Sequence, residues 1–391
     1  MKFYFRMNKV LVFIFCVVIT FTIKAENFES LDPLVAPDFK PDKELLEGGI
    51  WMVMDKIETD TKNSPTRLRE QEINQYLNSI LCRLAQDYCE DIRVYITRMP
   101  YFNATMAPNG MMTVWSGLLL RLDNESQLAA IIGHELGHYL RRHSLKQYEA
   151  AKDKASFGVF LSIALPGIGS IANLGLLAST YAHSRDSERE ADKYGIQLMA
   201  QAGYDVSQAS KVWQYIINED EAKEGDDKNG VPFFKTHPDP EDRLSKLDEY
   251  AEQLHAQGLV NSEAPEDRFK EVVAPYWKTF LEDELDLNQP GKSLYLLNFL
   301  SKKSHLSGTV NYFKGEFYRR RKQDNDLQTA ERHYLAALNF EDVPHETHRG
   351  LGMVYLKQKN KAKAIAHFEK YIELMPEAND RQMIEFYMNG G

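Results

Sequence analysis

The sequence predicts an α+β protein: a mainly helical first domain with a small β-sheet, followed by an all-α domain of helical repeats. Three observations carry this reading. Apolar residues at helical spacing dominate the 391-residue chain, strand-like alternation is confined to one stretch between Ile92 and Trp115, and the C-terminal part repeats itself at an interval of 34 residues.

Residues 1–25 have the layout of a secretory signal peptide: Lys2, Arg6 and Lys9 precede an apolar run from Val10 to Ile23, and Ala25 offers a small residue at the cut. The run is shorter than the roughly 20 residues of a spanning helix, so cleavage and export are expected rather than anchoring. The net charge of −10 becomes more negative once that basic segment is removed, which argues against a nucleic-acid partner. Cys82 and Cys89 then remain, seven residues apart; an oxidising compartment permits a disulfide, and two small buried thiols are the alternative that spacing leaves open.

Ile73, Tyr76, Leu77, Ile80 and Leu84 form one helical stripe. Ile92, Val94 and Ile96 alternate with polar residues as a strand does, and Pro108-Asn109-Gly110 marks a hairpin turn into Met111–Trp115. Asn124 and Gln127 supply a helix start ahead of Leu128 to His143. Residues 155–180 are apolar and small but broken by Gly158, Pro166, Gly167, Gly169 and Gly175; a helical hairpin over the site, a peripheral membrane contact, or a plain buried helical pair are the readings. Further helical patterns run over Tyr181 to Gln201 and Val206 to Asn218, an acidic loop follows at 219–230, and Asp239-Pro240 starts another helix. A polar stretch from Gln257 to Asp267 divides the chain into domains at 26–260 and 261–391. In the second, Ala330, Tyr334 and Ala337 return as Ala364, Phe368 and Tyr371, with Gly352, Tyr355 and Pro376 completing a tetratricopeptide-like pattern; a third, degenerate helical pair is expected in Tyr276 to Ser304.

The chemistry concentrates in His134-Glu135-Leu136-Gly137-His138, an HExxH sequence on an apolar helical pattern. Histidines four apart share a helical face and can give two imidazole nitrogens to one Zn²⁺, while Glu135 is placed to reach a water rather than the metal. About fifty residues on, Glu188 and Asp192 are also four apart. A catalytic zinc needs a third protein ligand, and its histidines hand their second N–H to a carboxylate; these two acids could divide the roles, with Glu190 the competitor on the opposite face.

With Ser184-Arg185 and the Glu188/Asp192 pair, this sequence resembles the CaaX-protease/HtpX-like zinc metallopeptidases, a gluzincin group. Asn103-Ala104 with Ser116-Gly117-Leu118, and Thr236-His237-Pro238 with Arg243, agree with that family, and the likeness spans roughly Leu46 to Tyr250. The signal peptide and repeat tail point to its periplasmic barrel-assembly-enhancing branch. The resemblance implies a zincin-type fold, one Zn²⁺ held by His134, His138 and Glu188, Glu135 as catalytic base, and Asp192 behind the ligands. It further implies a substrate edge strand comprising Asn103 and Met111, Met112, Thr113, Val114 and Trp115. His237, with Arg243 nearby, either stabilises an oxyanion or fills the open metal position, or else is a structural residue capping the next helix. The implied activity is hydrolysis of misfolded outer-membrane polypeptides in the periplasm, with the repeat domain docking clients or the barrel-assembly machinery. The competing expectation is a chaperone or scaffold with a latent zinc site.

Overall fold

The computed structural model describes residues 27–151, 183–223, 232–302 and 306–389. The expected signal peptide, the segment 155–180 and the end of the acidic loop lie outside these residues. Among those described, no helix is long and apolar enough to cross a membrane.

The described residues are mainly helical, with one three-stranded sheet. Helix α1 (Leu46–Asn63) precedes α2 (Gln71–Ala85), which buries Ile73, Tyr76, Leu77, Ile80 and Leu84, the stripe expected from spacing. A disulfide joins Cys82 near the end of α2 to Cys89, with Cα atoms 4.6 Å apart. The strands are β1 (Arg93–Thr97), β2 (Ala104–Met106) and β3 (Met111–Trp115). β2 and β3 form the predicted antiparallel hairpin; its Gly110 has φ +85°, and a Cβ there would fall 2.1 Å from the carbonyl oxygen of Asp91.

The sheet order, β1-β3-β2 with β1 parallel to β3, overturns one expectation. Met111, Met112, Thr113, Val114 and Trp115 are not an edge strand: they are paired on both sides and wholly buried. The physical reason is in the residues themselves, since Met112 and Val114 pack into the main core while Met111 packs with Tyr95 against Ile50, Val53 and Met54 of α1. A strand apolar on both faces gains most from the central position. Among the described residues, β2 is an edge strand with no other strand paired on its outer side. The bonds from Trp115 N–H to the Asn103 carbonyl and from Ala107 N–H to the Met111 carbonyl set the antiparallel phase, so the backbone groups of Ala104 and Met106 point away from β3.

Glu58 ties α1 to the sheet. Arg93 donates to both of its oxygens, at 3.0 and 2.6 Å, and the Tyr95 hydroxyl donates at 2.7 Å. Burial alone would raise this carboxyl, but the hydrogen bonds from Arg93, Tyr95 and Lys62 outweigh it and hold it at about 2 against an ordinary 4.5. A depressed folded-state value stabilises the fold above pH 4.5, and the contribution is lost as pH falls from there towards 2. Thermal unfolding should therefore place Glu58→Gln about 2–3 kcal/mol below wild type at neutral pH, with the gap closing steadily on acidification below about pH 4.

After the sheet come α3 (Ser116–Leu120), α4 (Glu125–Leu140), α5 (His143–Ala151), α6 (Arg185–Ala202), α7 (Gln208–Glu221), α8 (Pro232–Thr236) and α9 (Pro240–Ala256). α4 ends sooner than its apolar pattern suggests, because Arg142 takes φ +57° and the chain restarts as α5 at His143. Beyond residue 260 lie α10 (Phe269–Val273), α11 (Trp277–Asp286), α12 (Pro290–Ser301), α13 (Ser307–Arg321), α14 (Asp326–Ala337), α15 (Glu346–Lys357), α16 (Lys361–Leu374) and α17 (Arg381–Met388). The self-similar residues do equivalent packing work. A Cβ on Gly315 would lie 2.5 Å from the Tyr334 ring, and one on Gly352 would lie 2.3 Å from Phe368, so in each hairpin a glycine seats an aromatic ring. The apolar core continues across residue 260, joining Trp213 and Phe233 to Phe269, Trp277 and Phe280.

Candidate metal centre and active site

The site rests on the crossing of α4 and α6. Asn124 caps α4 by accepting from Gln127 N–H at 2.9 Å, and Ser184 caps α6 by accepting from Ser187 N–H at 3.1 Å. Where the helices cross there is no room for a Cβ. One placed on Gly195 would sit 2.7 Å from the backbone nitrogen of His134, and one on Gly137 would sit 2.7 Å from the carbonyl oxygen of Ala191. Backbone contact of this kind brings two side-chain pairs, each four residues apart, to one point: His134 and His138 from α4, Glu188 and Asp192 from α6.

His134 Nε2 and His138 Nε2 are 3.0 Å apart, and the Glu188 carboxylate oxygens lie 3.5 and 3.4 Å from them respectively. Donors around a tetrahedral zinc, with bonds of about 2.0–2.1 Å, would be separated by about 3.3 Å, so these three groups fit one ion. His237 Nδ1 joins them, 3.2 Å from His134 Nε2 and 3.1 Å from Glu188 Oε2. All four residues are buried, and their donor atoms lie within 4.8 Å of one another. The His237 imidazole is therefore in the cluster and not on the following helix, whose N-cap position is Asp239.

Burial, chiefly, holds both His134 and His138 well below the ordinary imidazole range and so keeps them neutral, the form that binds metal. Burial works against ionisation of Glu188, but the His237 imidazole and the Arg243 guanidinium outweigh it and hold the carboxyl well below its usual range. Arg243, 1% exposed, clamps both acids: it meets Glu188 Oε2 at 2.7 Å and donates to the two Asp192 oxygens at 2.7 and 2.6 Å, with its guanidinium 3.8 Å over the Trp213 ring. Asp192 in turn lies 2.9 Å from His134 Nδ1, fixing that ring through its far nitrogen.

Glu135 points to the other side of the histidines. Its Oε1 is buried and, among the described residues, without a hydrogen-bond partner, 3.7 Å from His237 Nε2, and burial raises its carboxyl to about 7. It lines a cleft with Met54, Thr105, Met106, His183 and His237, which places the free edge of β2 beside it. Of the residues singled out from sequence, Glu135, His134, His138, Glu188, Asp192, His237 and Arg243 come together. Asn103 is buried just before β2, and of the β3 residues Met111 lines the cleft.

Two residues escaped the sequence reading. His183 stacks on His138 with ring centroids 3.9 Å apart, and His143 Nδ1 lies 3.0 Å from His138 Nδ1. Glu190, the rejected ligand candidate, pairs with His143 and Arg141 away from the cluster. Neither histidine stands at a spacing that periodicity would link to the HExxH sequence.

Two such pairs crossing over a buried glutamate define the class, a helix-borne HExxH metal centre. Residues 67–251, which contain all of it, match peptidase family M48. Similar proteins include a putative beta-barrel assembly-enhancing protease of Vibrio cholerae, 28% identical over 57% of this chain and 48% of the relative. The mitochondrial metalloendopeptidase OMA1 of Schizosaccharomyces pombe is 31% identical over 45% and 52%, and the beta-barrel assembly-enhancing protease of Escherichia coli is 27% identical over 52% and 44%. The chain spans about half the length of these relatives.

Proposed function

We propose that this protein is an exported zinc-dependent endopeptidase that hydrolyses peptide bonds in misfolded or misassembled outer-membrane proteins in the periplasm. The observation that carries the reading is the convergence of His134, His138 and Glu188 donor atoms at 3.0–3.5 Å beside the buried Glu135, whose Oε1 has no hydrogen-bond partner among the described residues. Those three residues would hold the ion, with Asp192 and Arg243 orienting them from behind. When bound there, zinc would supply a positive centre to polarise a carbonyl and acidify water. Glu135 takes the proton from the attacking water and returns it to the leaving amine. His237 faces the same point through Nδ1, which supports its serving as a further donor that would give way to substrate.

An extended polypeptide fits the free edge of β2, where the outward backbone groups of Ala104 and Met106 can pair with it regardless of its side chains. Selection of clients then falls to the helical hairpins of residues 261–391, read as tetratricopeptide repeats that dock clients or assembly machinery. The names of the Vibrio and Escherichia relatives support a role at barrel assembly. The test is hydrolysis of casein and of an unfolded barrel protein by the full-length protein, with zinc counted per chain and with or without a chelator. Cleavage that chelation stops and zinc restores is the expected result; a zinc-free chain with no cleavage would overturn the proposal.

A further inference from the structure

His138 turns its two nitrogens to different partners. Nε2 faces the cluster, 3.0 Å from His134 Nε2, while Nδ1 lies 3.0 Å from Nδ1 of His143. His143, 2% exposed, has its own Nε2 2.7 Å from Glu190 Oε2, and Arg141 Nε donates to the other oxygen of that carboxylate at 2.7 Å. The donor and acceptor inventory leaves one consistent arrangement. An ionised carboxylate, here paired with Arg141, only accepts, so His143 presents Nε2–H to Glu190. A neutral imidazole protonated there carries its lone pair on Nδ1, which must accept from His138. His138 then donates from Nδ1, and its own lone pair is left on Nε2, the nitrogen aimed at the cluster.

We infer that Glu190 and His143 form a positioning relay that holds His138 in its metal-binding tautomer, as Asp192 does directly for His134. The chain is built for this contact. On an unbroken helix a residue five places after His138 would project about 140° around the axis from it. The break after Leu140, with Arg142 at φ +57°, instead begins a new helix at His143 and folds that side chain back onto His138. The same broken turn supplies Arg141. Glu190 lies on the helix that carries Glu188 and Asp192, so α6 supports one histidine from each of its two sides.

This inference rests on the zinc reading proposed above, and zinc affinity tests it apart from cleavage. Affinity is measured by competition with a chromophoric chelator, and site geometry by the absorption spectrum of the cobalt-substituted protein, on wild type, His143→Ala and His143→Asn. Asparagine puts an amide oxygen close to the place of Nδ1 and can accept from His138; alanine cannot. His143→Ala should bind zinc about 10–100-fold more weakly with an altered cobalt spectrum, whereas His143→Asn should stay within about threefold of wild type. Equal affinity in wild type and His143→Ala, or an asparagine variant as weak as alanine, overturns the relay. If His143→Ala does not fold, Glu190→Leu removes the acceptor at the far end and should still weaken zinc binding several-fold; unchanged affinity there overturns the relay equally. A wild-type chain that takes up no zinc overturns the metal reading beneath it, a result distinct from a zinc-loaded wild type whose variants all match it.

Discussion

Replacing Glu135 with glutamine should leave zinc uptake at the wild-type level and lower kcat for peptide hydrolysis by about 10²–10⁴, with little change in KM. Three features of the site set that expectation. Glu135 follows His134 directly, so its side chain leaves the helix on a different line from His134 and His138 and stays out of the donor cluster. Among the described residues its Oε1 has no hydrogen-bond partner, which leaves that lone pair for a proton coming from elsewhere. Glutamine has the same shape and meets the same buried walls, so the substitution removes proton transfer without opening a cavity. Steady-state kinetics on a peptide substrate with parallel metal analysis is the measurement. The same variant separates catalysis from scaffolding in cells. A chaperone or scaffold with a latent site would complement a deletion fully without the base, and full complementation by Glu135→Gln would sink the claim that cleavage is the function.

Much of this centre was legible because a helix turns residue spacing into direction: four residues is close to one turn, so His134 with His138 and Glu188 with Asp192 had to pair by face. Assigning Arg243 and His237 needed a resemblance, since they come from a segment about a hundred residues away that no period connects to α4. Strand order was not legible in the same way. Alternation reports which face a residue takes and is silent on which strand lies beside which. Yet the signal for β3 was present, because Met111, Met112, Val114 and Trp115 give apolar residues on both faces, the mark of an interior strand. His143 was hidden by the break at Arg141 and Arg142. A helix extrapolated through that point sends His143 away from the site, whereas the left-handed residue turns it inward.

Arg121→Ala should cost about 3–5 kcal/mol of stability, a large part of the 5–15 kcal/mol that holds a typical protein folded. Arg121 follows α3 at the end of the sheet. Its Nε donates to both oxygens of Glu219 on α7 at 2.9 and 2.8 Å, its Nη2 to Glu284 on α11 at 2.9 Å, and its Nη1 to the Gly117 carbonyl at 2.9 Å. The side chains of Arg121, Glu219 and Glu284 are 5%, 1% and 0% exposed, so water can compensate none of these charges. Ser293 on α12 donates to the remaining Glu284 oxygen at 3.0 Å, which extends the network into the helices beyond residue 260. Removing the guanidinium leaves two carboxylates facing each other in a dry interior. They must then take up protons or draw the helices apart. If the loss comes from orphaned charge and not from missing contact area, replacing all three by apolar residues of similar size, as Arg121→Met with Glu219→Leu and Glu284→Leu, should recover most of it. Urea unfolding of wild type, single and triple variants decides this: a single variant within about 1 kcal/mol of wild type would show that the network contributes little, and a triple variant as unstable as the single would place the cost in packing. In the single variant the transition should also broaden or divide, because Arg121 is a charged link from the end of α3 to α11 and hence to the helices beyond residue 260.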